Sequence, residues 1–317
     1  MLSGVEICAG AGGQALGLEQ GGFEPQALIE VDSHCCNTLK LNRPHWNVIE
    51  DDIRDLDGVS YQGIDLLAGG VPCPPFSKAG KQLGANDERD LFPTAIRWVD
   101  ECRPSAVILE NVRGFLDAAF AIYRSDLKLQ LEKLGYVVDW KLLNASDFGV
   151  SQLRPRVVIV AIQKSLSEHF YWPRPHAYKP KSVGELLYQQ MAAHGWQGVQ
   201  EWSHHADDIA PTIVGGSKKH GGPDLGPTRA KRAWTKLGVD GMGIVYEPPD
   251  REFVGMPRLT VPMVARIQGF PETWQFTGKK TPAYRQVGNA FPPPVAQAVA
   301  EQVAKCLMHK RIFAVAS

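Results

Sequence analysis

Short apolar runs alternate with amphipathic stretches along the first half of the chain. Residues 4–9 form the first run, and a glycine turn, Gly10-Ala11-Gly12-Gly13, follows at once. Leu16, Leu18 and Glu19 then fit a helix ending at Gly21-Gly22. Ala27-Leu28-Ile29-Glu30 is a second run that closes on an acid. Asp32 is placed to cap the helix carrying Thr38, Leu39 and Leu41. Further strands are predicted at 48–49, 64–68, 107–109 and 136–143, with a helix over 127–134. Residues 157–162 are continuously apolar, as in a strand buried on both faces. Strands alternating with helices over ~160 residues predict a doubly wound α/β domain.

The texture changes at about Tyr171. From there to Pro257 the chain is rich in Gly, Pro, His and Trp, with weak periodicity. This stretch is predicted to be a smaller, irregular domain whose loops carry function. Helical pattern returns over 261–267 and 295–307, and the final helix is predicted to pack back on the first domain. The expected division is therefore 1–170, 171–257 and a returning segment, 258–317.

The formal net charge is zero, but its distribution is uneven. Residues 1–60 hold ten acids against three bases. Residues 215–236 hold Lys218, Lys219, Arg229, Lys231, Arg232 and Lys236 against Asp224 alone. Such a split suits a small cofactor in one region and a polyanion in the other, although two solvated faces would give the same counts. There is no apolar run of about 18 residues, so no membrane span is predicted. The N-terminus lacks a signal-peptide pattern, which predicts a reducing, cytoplasmic setting. The six cysteines lack metal spacing, so no structural metal is expected. Five of them read as small buried hydrophobes.

The sixth, Cys73, lies in Gly69-Gly70-Val71-Pro72-Cys73-Pro74-Pro75, directly after a predicted strand. Prolines fix the backbone there. The loop that follows carries Ser77, Lys78, Lys81 and Gln82 between glycines and reads as a lid. A thiol at a strand's carboxyl end among cations is placed to ionise, though a structural cysteine in a proline turn fits the same residues. Glu110 and Asn111 close another strand. Gln152, Arg154 and Arg156 alternate, which at strand spacing puts all three on one face, for an anionic or carbonyl-rich ligand or as a solvated edge. The Gly10–Gly13 turn lets backbone approach a ligand but is not the dinucleotide fingerprint. Glu30 and Asp52, at later strand ends, suit ribose hydroxyls and an adenine amino group.

In this order the pieces resemble the DNA cytosine C5-methyltransferases of bacterial restriction-modification type. The resemblance rests on 6–13, Pro72-Cys73, Glu110-Asn111-Val112, Gln152-Leu153-Arg154-Pro155-Arg156, Arg258 to Pro271, and Tyr284-Arg285-Gln286-Val287-Gly288-Asn289-Ala290. It spans the chain outside 171–257. It implies a mixed, Rossmann-like sheet that binds S-adenosylmethionine, with S-adenosylhomocysteine as product, and a target-recognition domain over 171–257. Cys73 is then the nucleophile toward C6 of a flipped cytosine, Glu110 the proton donor at N3, and Arg154 and Arg156 the groups orienting the base. The implied cofactor residues are Cys8, Gly10, Ala11, Gly12, Gly13, Glu30, Val31, Asp52, Ile53, Gly70, Pro72, Leu91, Asn289 and Ala290. The implied DNA contacts are Ser77, Lys78, Lys81, Gln82, Asn111, Gln152, Thr212, Lys218, Lys219, Arg229, Lys231 and Arg232. The sequence departs from the family pattern at Cys8 and Val31, where aromatics are usual, and at Pro74, where Gln is frequent.

Three other readings compete. A transfer-RNA methyltransferase of the same fold usually carries a Cys-Phe-Thr signature, which is absent. A non-catalytic DNA-binding relative is disfavoured by the presence of Cys73, Glu110, Arg154 and Arg156. A thiol oxidoreductase would need a partner cysteine near Cys73. The implied setting is a bacterial or phage enzyme acting on double-stranded DNA as a monomer, beside a separate restriction endonuclease.

Overall fold

A computed structural model of the chain describes residues 1–72, 90–215 and 223–315, with side chains described to 308. Seven strands make one sheet: β1 (Leu2–Ile7), β2 (Phe23–Glu30), β3 (Val48–Glu50), β4 (Leu66–Gly69), β5 (Ala106–Val112), β6 (Tyr136–Asn144) and β7 (Pro155–Gln163). Their order is β3-β2-β1-β4-β5-β7-β6. The first five are parallel, and β7 runs antiparallel to both β5 and β6, so the sheet is mixed as expected. The order reverses between β1 and β4, and a crevice opens there at the strands' carboxyl ends.

Side-chain alternation divides the sheet cleanly. Leu66, Ala68, Ala106 and Ile108 join one core, while Leu67, Val107 and Leu109 join the other. The first core is closed by α1 (Gly13–Gln20) and α10 (Pro293–Val315). The second is closed by α3 (Phe92–Cys102) and α4 (Ala121–Lys133). Strands β4, β5 and β7 are buried on both faces and read as continuous apolar runs, whereas the edge strand β6 alternates.

The return of the C-terminal helix is fixed by glycine. A Cβ on Gly17 would lie 2.5 Å from that of Ala296, and one on Gly21 would lie 2.4 Å from that of Ala300. Helices α1 and α10 approach so closely that only glycine fits on the α1 side. Asp32 caps α2 (Ser33–Asn42) as predicted, accepting from the His34 amide at 3.0 Å.

The region read as irregular contains three short helices: α5 (Val183–Met191), α6 (Val199–His205) and α7 (Thr228–Lys236). Their core is built on Trp196, Trp202 and Trp234 and is continuous with α8 (Val261–Gln268) and α9 (Lys280–Asn289). Helices of seven to nine residues give too few turns for a strong periodic signal. Trp172 packs elsewhere, against the first domain, with its indole donating to Asp139 at 2.7 Å. Among the described residues no helix is long and apolar enough to cross a membrane.

Candidate active site

The crevice at the sheet's reversal has a volume of about 560 Å³, in the range that holds a nucleoside-sized ligand. Cys8, Gly10, Ala11, Gly13, Glu30, Val31, Asp52, Ile53, Gly70, Pro72, Leu91, Asn289 and Ala290 all line it. Gly12 sits behind the wall, at φ 88°, where a Cβ would lie 2.7 Å from the Trp274 ring. Trp274 in turn donates to Ala11 O at 3.2 Å, so the glycine turn is packed from behind. Cys8 holds a left-handed conformation, φ 53°, which bends the chain out of β1 into the turn.

Glu30 is clamped by three backbone amides, those of Gly10 (2.8 Å), Val31 (2.9 Å) and Asp32 (2.8 Å). Burial raises its pKa, and those amides pull it back down. Asp52 is held ionised by Arg54, whose guanidinium meets it at 2.6 Å. The lining residues missed from sequence include Glu6 and Gln14. Glu6 on β1 is buried with Oε2 lacking a partner among the described residues, and its pKa is raised well above the usual range by burial and then by Glu30. Gln14 lies beside it, also with an unpartnered amide among the described residues. The signal was available: a charged residue inside an otherwise apolar strand is costly unless it is used.

Among the described residues the wall carries six acids, Glu6, Glu30, Asp32, Asp51, Asp52 and Glu110, against one base, Arg285. This polarity fits S-adenosylmethionine, which presents a sulfonium, an ammonium and ribose hydroxyls.

At the deep end Glu110 closes the crevice. Arg156 meets it across 2.7 Å, with both side chains nearly buried. Burial raises the Glu110 pKa, while Arg156 and Arg154 lower it. β5 and β7 pair so that Arg156 lies opposite Val112, beside the acid. Gly70 faces Glu110: a Cβ there would lie 3.6 Å from its carboxylate. The Leu91 amide donates to Pro72 O at 3.3 Å, so both flanks of segment 73–89 meet at this point. Cys73, Ser77, Lys78, Lys81, Gln82, Lys218 and Lys219 lie outside the described residues.

Three expectations need correction. Gln152, Arg154 and Arg156 do not share a ligand-facing surface. The strand begins only at Pro155, and Gln152 and Arg154 are fully buried against backbone. The Gln152 side-chain amide donates to Gln268 at 2.7 Å and accepts from the Ile213 amide at 2.8 Å. Asn111 is buried too, donating to Val71 O at 3.1 Å, and so braces the backbone just before Pro72. Among the basic residues of α7, Lys231 is tied to Asp224 at 2.7 Å, whereas Arg229 and Arg232 are exposed. Thr212 is half-buried and donates to Leu153 O.

The five described cysteines are free. Burial pushes Cys36 and Cys102 up to about 12 and Cys306 to about 11, and raises Cys8 and Cys35 further. No described thiol is a thiolate near neutral pH.

Sheet and crevice together define an enzyme of the S-adenosylmethionine-dependent methyltransferase class. A family model for C-5 cytosine-specific DNA methylase matches residues 2–305, and the chain belongs to that family. It is a DNA cytosine C5-methyltransferase that uses S-adenosylmethionine. Type II methyltransferase M.NgoMIV of Neisseria gonorrhoeae is 58% identical over 309 residues, covering 96% of this chain and 98% of that protein. Type II methyltransferase M.NaeI of Lentzea aerocolonigenes is 55% identical over 313 residues, covering 96% and 75%. A Spodoptera frugiperda DNMT2 mutant shares the fold, with TM-score 0.64, 18% identity and coverage of 97% and 100%.

Proposed function

We propose that the protein methylates C5 of one cytosine within a specific duplex sequence, as the modification half of a bacterial or phage restriction-modification system. The observation that carries this reading is the Glu110–Arg156 pair, which closes the cofactor crevice beside Gly70 and Pro72, one residue before Cys73. Cytosine C5 is a poor nucleophile. The Cys73 thiolate adds to C6, forming a C–S bond and moving an electron pair onto the ring. Glu110 hydrogen-bonds N3 and supplies a proton there as charge builds, and Arg156 holds Glu110 in place. C5 then takes the methyl group, S-adenosylmethionine supplying that group in electrophilic form. Loss of the C5 proton and breakage of the C–S bond, whose electron pair leaves with sulfur, restore the aromatic ring; N3 returns its proton to Glu110 and Cys73 is again a thiolate.

A base stacked in a duplex cannot reach the crevice, so the cytosine flips out, at a cost of a few kcal/mol. Residues 171–257 serve as the target-recognition domain. Arg229 and Arg232 on α7, with Lys218 and Lys219, supply contacts to DNA. Residues 1–170 and 258–317 form the catalytic unit. In this reading the protein works as a monomer in the cytoplasm, apart from its cognate endonuclease.

The test incubates the protein with unmethylated genomic DNA and S-adenosylmethionine and assays 5-methylcytosine by nucleoside mass spectrometry. Product that disappears in Cys73→Ala supports the reading, and bisulfite sequencing then gives the site. Product from transfer RNA alone, or DNA binding without product, overturns it.

A further inference from the structure

The buried guanidinium of Arg154 lies two residues from Arg156 but is not among the described residues lining the crevice, and it turns toward three backbone carbonyls. It donates to Ile213 O at 2.6 Å, Gly288 O at 2.7 Å and Ala290 O at 3.0 Å. Its remaining donor, Nε, is sealed from solvent. Among the described residues no carboxylate pairs with it. The three carbonyls belong to segments remote in sequence. Ile213 lies in the stretch 210–215, which runs beside 151–154: the Ala210 amide donates to Ser151 O at 2.9 Å, and the Leu153 amide to Ala210 O at 2.8 Å. Gly288 and Ala290 belong to the closing motif, whose Asn289 and Ala290 line the cofactor crevice. The two stretches cross in contact, since a Cβ on Gly288 would lie 2.4 Å from Gly215 Cα. Gln152 and Gln268 brace the same knot, Gln268 donating to Ala290 O at 2.6 Å.

We propose that Arg154 is a positioning residue: a buried clasp that fixes the stretch 210–215, within the recognition region, and the closing cofactor motif against the Glu110–Arg156 pair, without touching the base. This rests on the methyltransferase reading above and separates the two arginines by role. Arg156 acts at Glu110. Arg154 sets the geometry of the cofactor wall and of the stretch 210–215 within the recognition region. A hydrogen bond from a charged donor contributes more than a neutral one, and three converge here. Loss of Arg154 should therefore loosen cofactor binding and target discrimination together.

The experiment compares full-length Arg154→Met, Arg154→Lys and Arg156→Met with the parent chain. S-adenosylhomocysteine affinity is measured by calorimetry without DNA. The ratio of kcat/KM on the target sequence to that on a duplex with one base pair changed is measured alongside, with thermal melting as the check on folding. The expected result is about tenfold or more loss of affinity in Arg154→Met, with reduced discrimination. Arg154→Lys, which keeps the charge but not the fork, should fall between. Arg156→Met should lose turnover with its affinity intact. The proposal is overturned if Arg154→Met keeps parental affinity and discrimination but loses turnover as Arg156→Met does, because that is the behaviour of a base contact. If Arg154→Met does not fold, Arg154→Lys decides by the same two ratios: a merely structural role lowers its melting temperature and leaves both ratios parental. A parent chain inactive on DNA would sink the methyltransferase reading, while the affinity arm would still test the clasp.

Discussion

The cofactor crevice and the recognition stretch are built on opposite plans. The crevice is a set of strand ends, each anchored in a sheet with both faces buried, so a side chain at a strand end has little freedom in where it points. Glu30 ends β2, Asp52 follows β3 by two residues, and Glu110 lies near the end of β5. Among its described residues the proposed recognition stretch, 171–257, has three short helices around a few tryptophans and contributes no strand to the sheet. Rigid chemistry on one side and an adaptable surface on the other is what sequence-specific modification asks for: the reaction stays constant while the target varies. The difference also predicts that crevice substitutions act on turnover or cofactor, and recognition substitutions on DNA.

The largest effect should come from Glu110→Gln. Removing the proton donor is expected to lower kcat by about 10²–10⁴-fold in single-turnover methylation. Because Glu110 lines the crevice without contacting the clamped turn, cofactor affinity should stay near parental. A matching loss of cofactor affinity would break the separation of roles within the crevice. The pH dependence sharpens it. Arg156 is the larger of two influences that hold the Glu110 pKa down against burial. In Arg156→Gln that pKa should rise, so the acid stays protonated to higher pH. The alkaline limb of the residual rate should then move upward.

Arg229→Ala combined with Arg232→Ala tests the other region. Both side chains are exposed on α7, and Trp234 anchors the opposite face of the helix in the core. If each contacts one phosphate, the slope of log K against log salt should fall in magnitude by about 1.8, with cofactor affinity unaffected. Lys231→Ala should change the slope less, because that ammonium is already tied to Asp224. An equal change from Lys231 would show that the ion pair opens when DNA binds.

Legibility in the sequence follows the same divide. The strands, the Asp32 cap and the return of α10 were readable because each depends on local pattern: a short apolar run, a capping residue, an apolar stripe. The acids at strand ends were readable for the same reason. Helices α5 to α7 were not, since short helices held by tryptophans take their stability from tertiary contact, and the capping box Ser182–Glu185 was the one local sign of α5. The alternation Gln152-Arg154-Arg156 misled because spacing alone cannot say where a strand begins. Two of those side chains precede β7 and turn to backbone carbonyls that lie far away in sequence. Glu6 was overlooked because its burial hides it among apolar neighbours.

Glu6 gives the smallest effect, and one that reads the crevice through stability instead of rate. Its folded-state pKa lies well above its unfolded value, because burial and then Glu30 disfavour the charged form. The folded protein therefore binds a proton at pH values where the unfolded chain has already released one. The sign follows from linkage: any stability owed to that proton is complete below the unfolded carboxylate pKa, about 4.3, and is lost as pH rises toward the folded value. Glu6→Gln removes the titrating group and keeps its shape. Without cofactor, the parent chain should lose more melting temperature between pH 5 and pH 8 than the variant does. With S-adenosylmethionine the order should reverse, because a cationic cofactor beside Glu6 favours the carboxylate that the empty crevice penalises. Parallel melting curves for the two proteins at every pH, with and without cofactor, would mean that Glu6 does not sense the crevice at all.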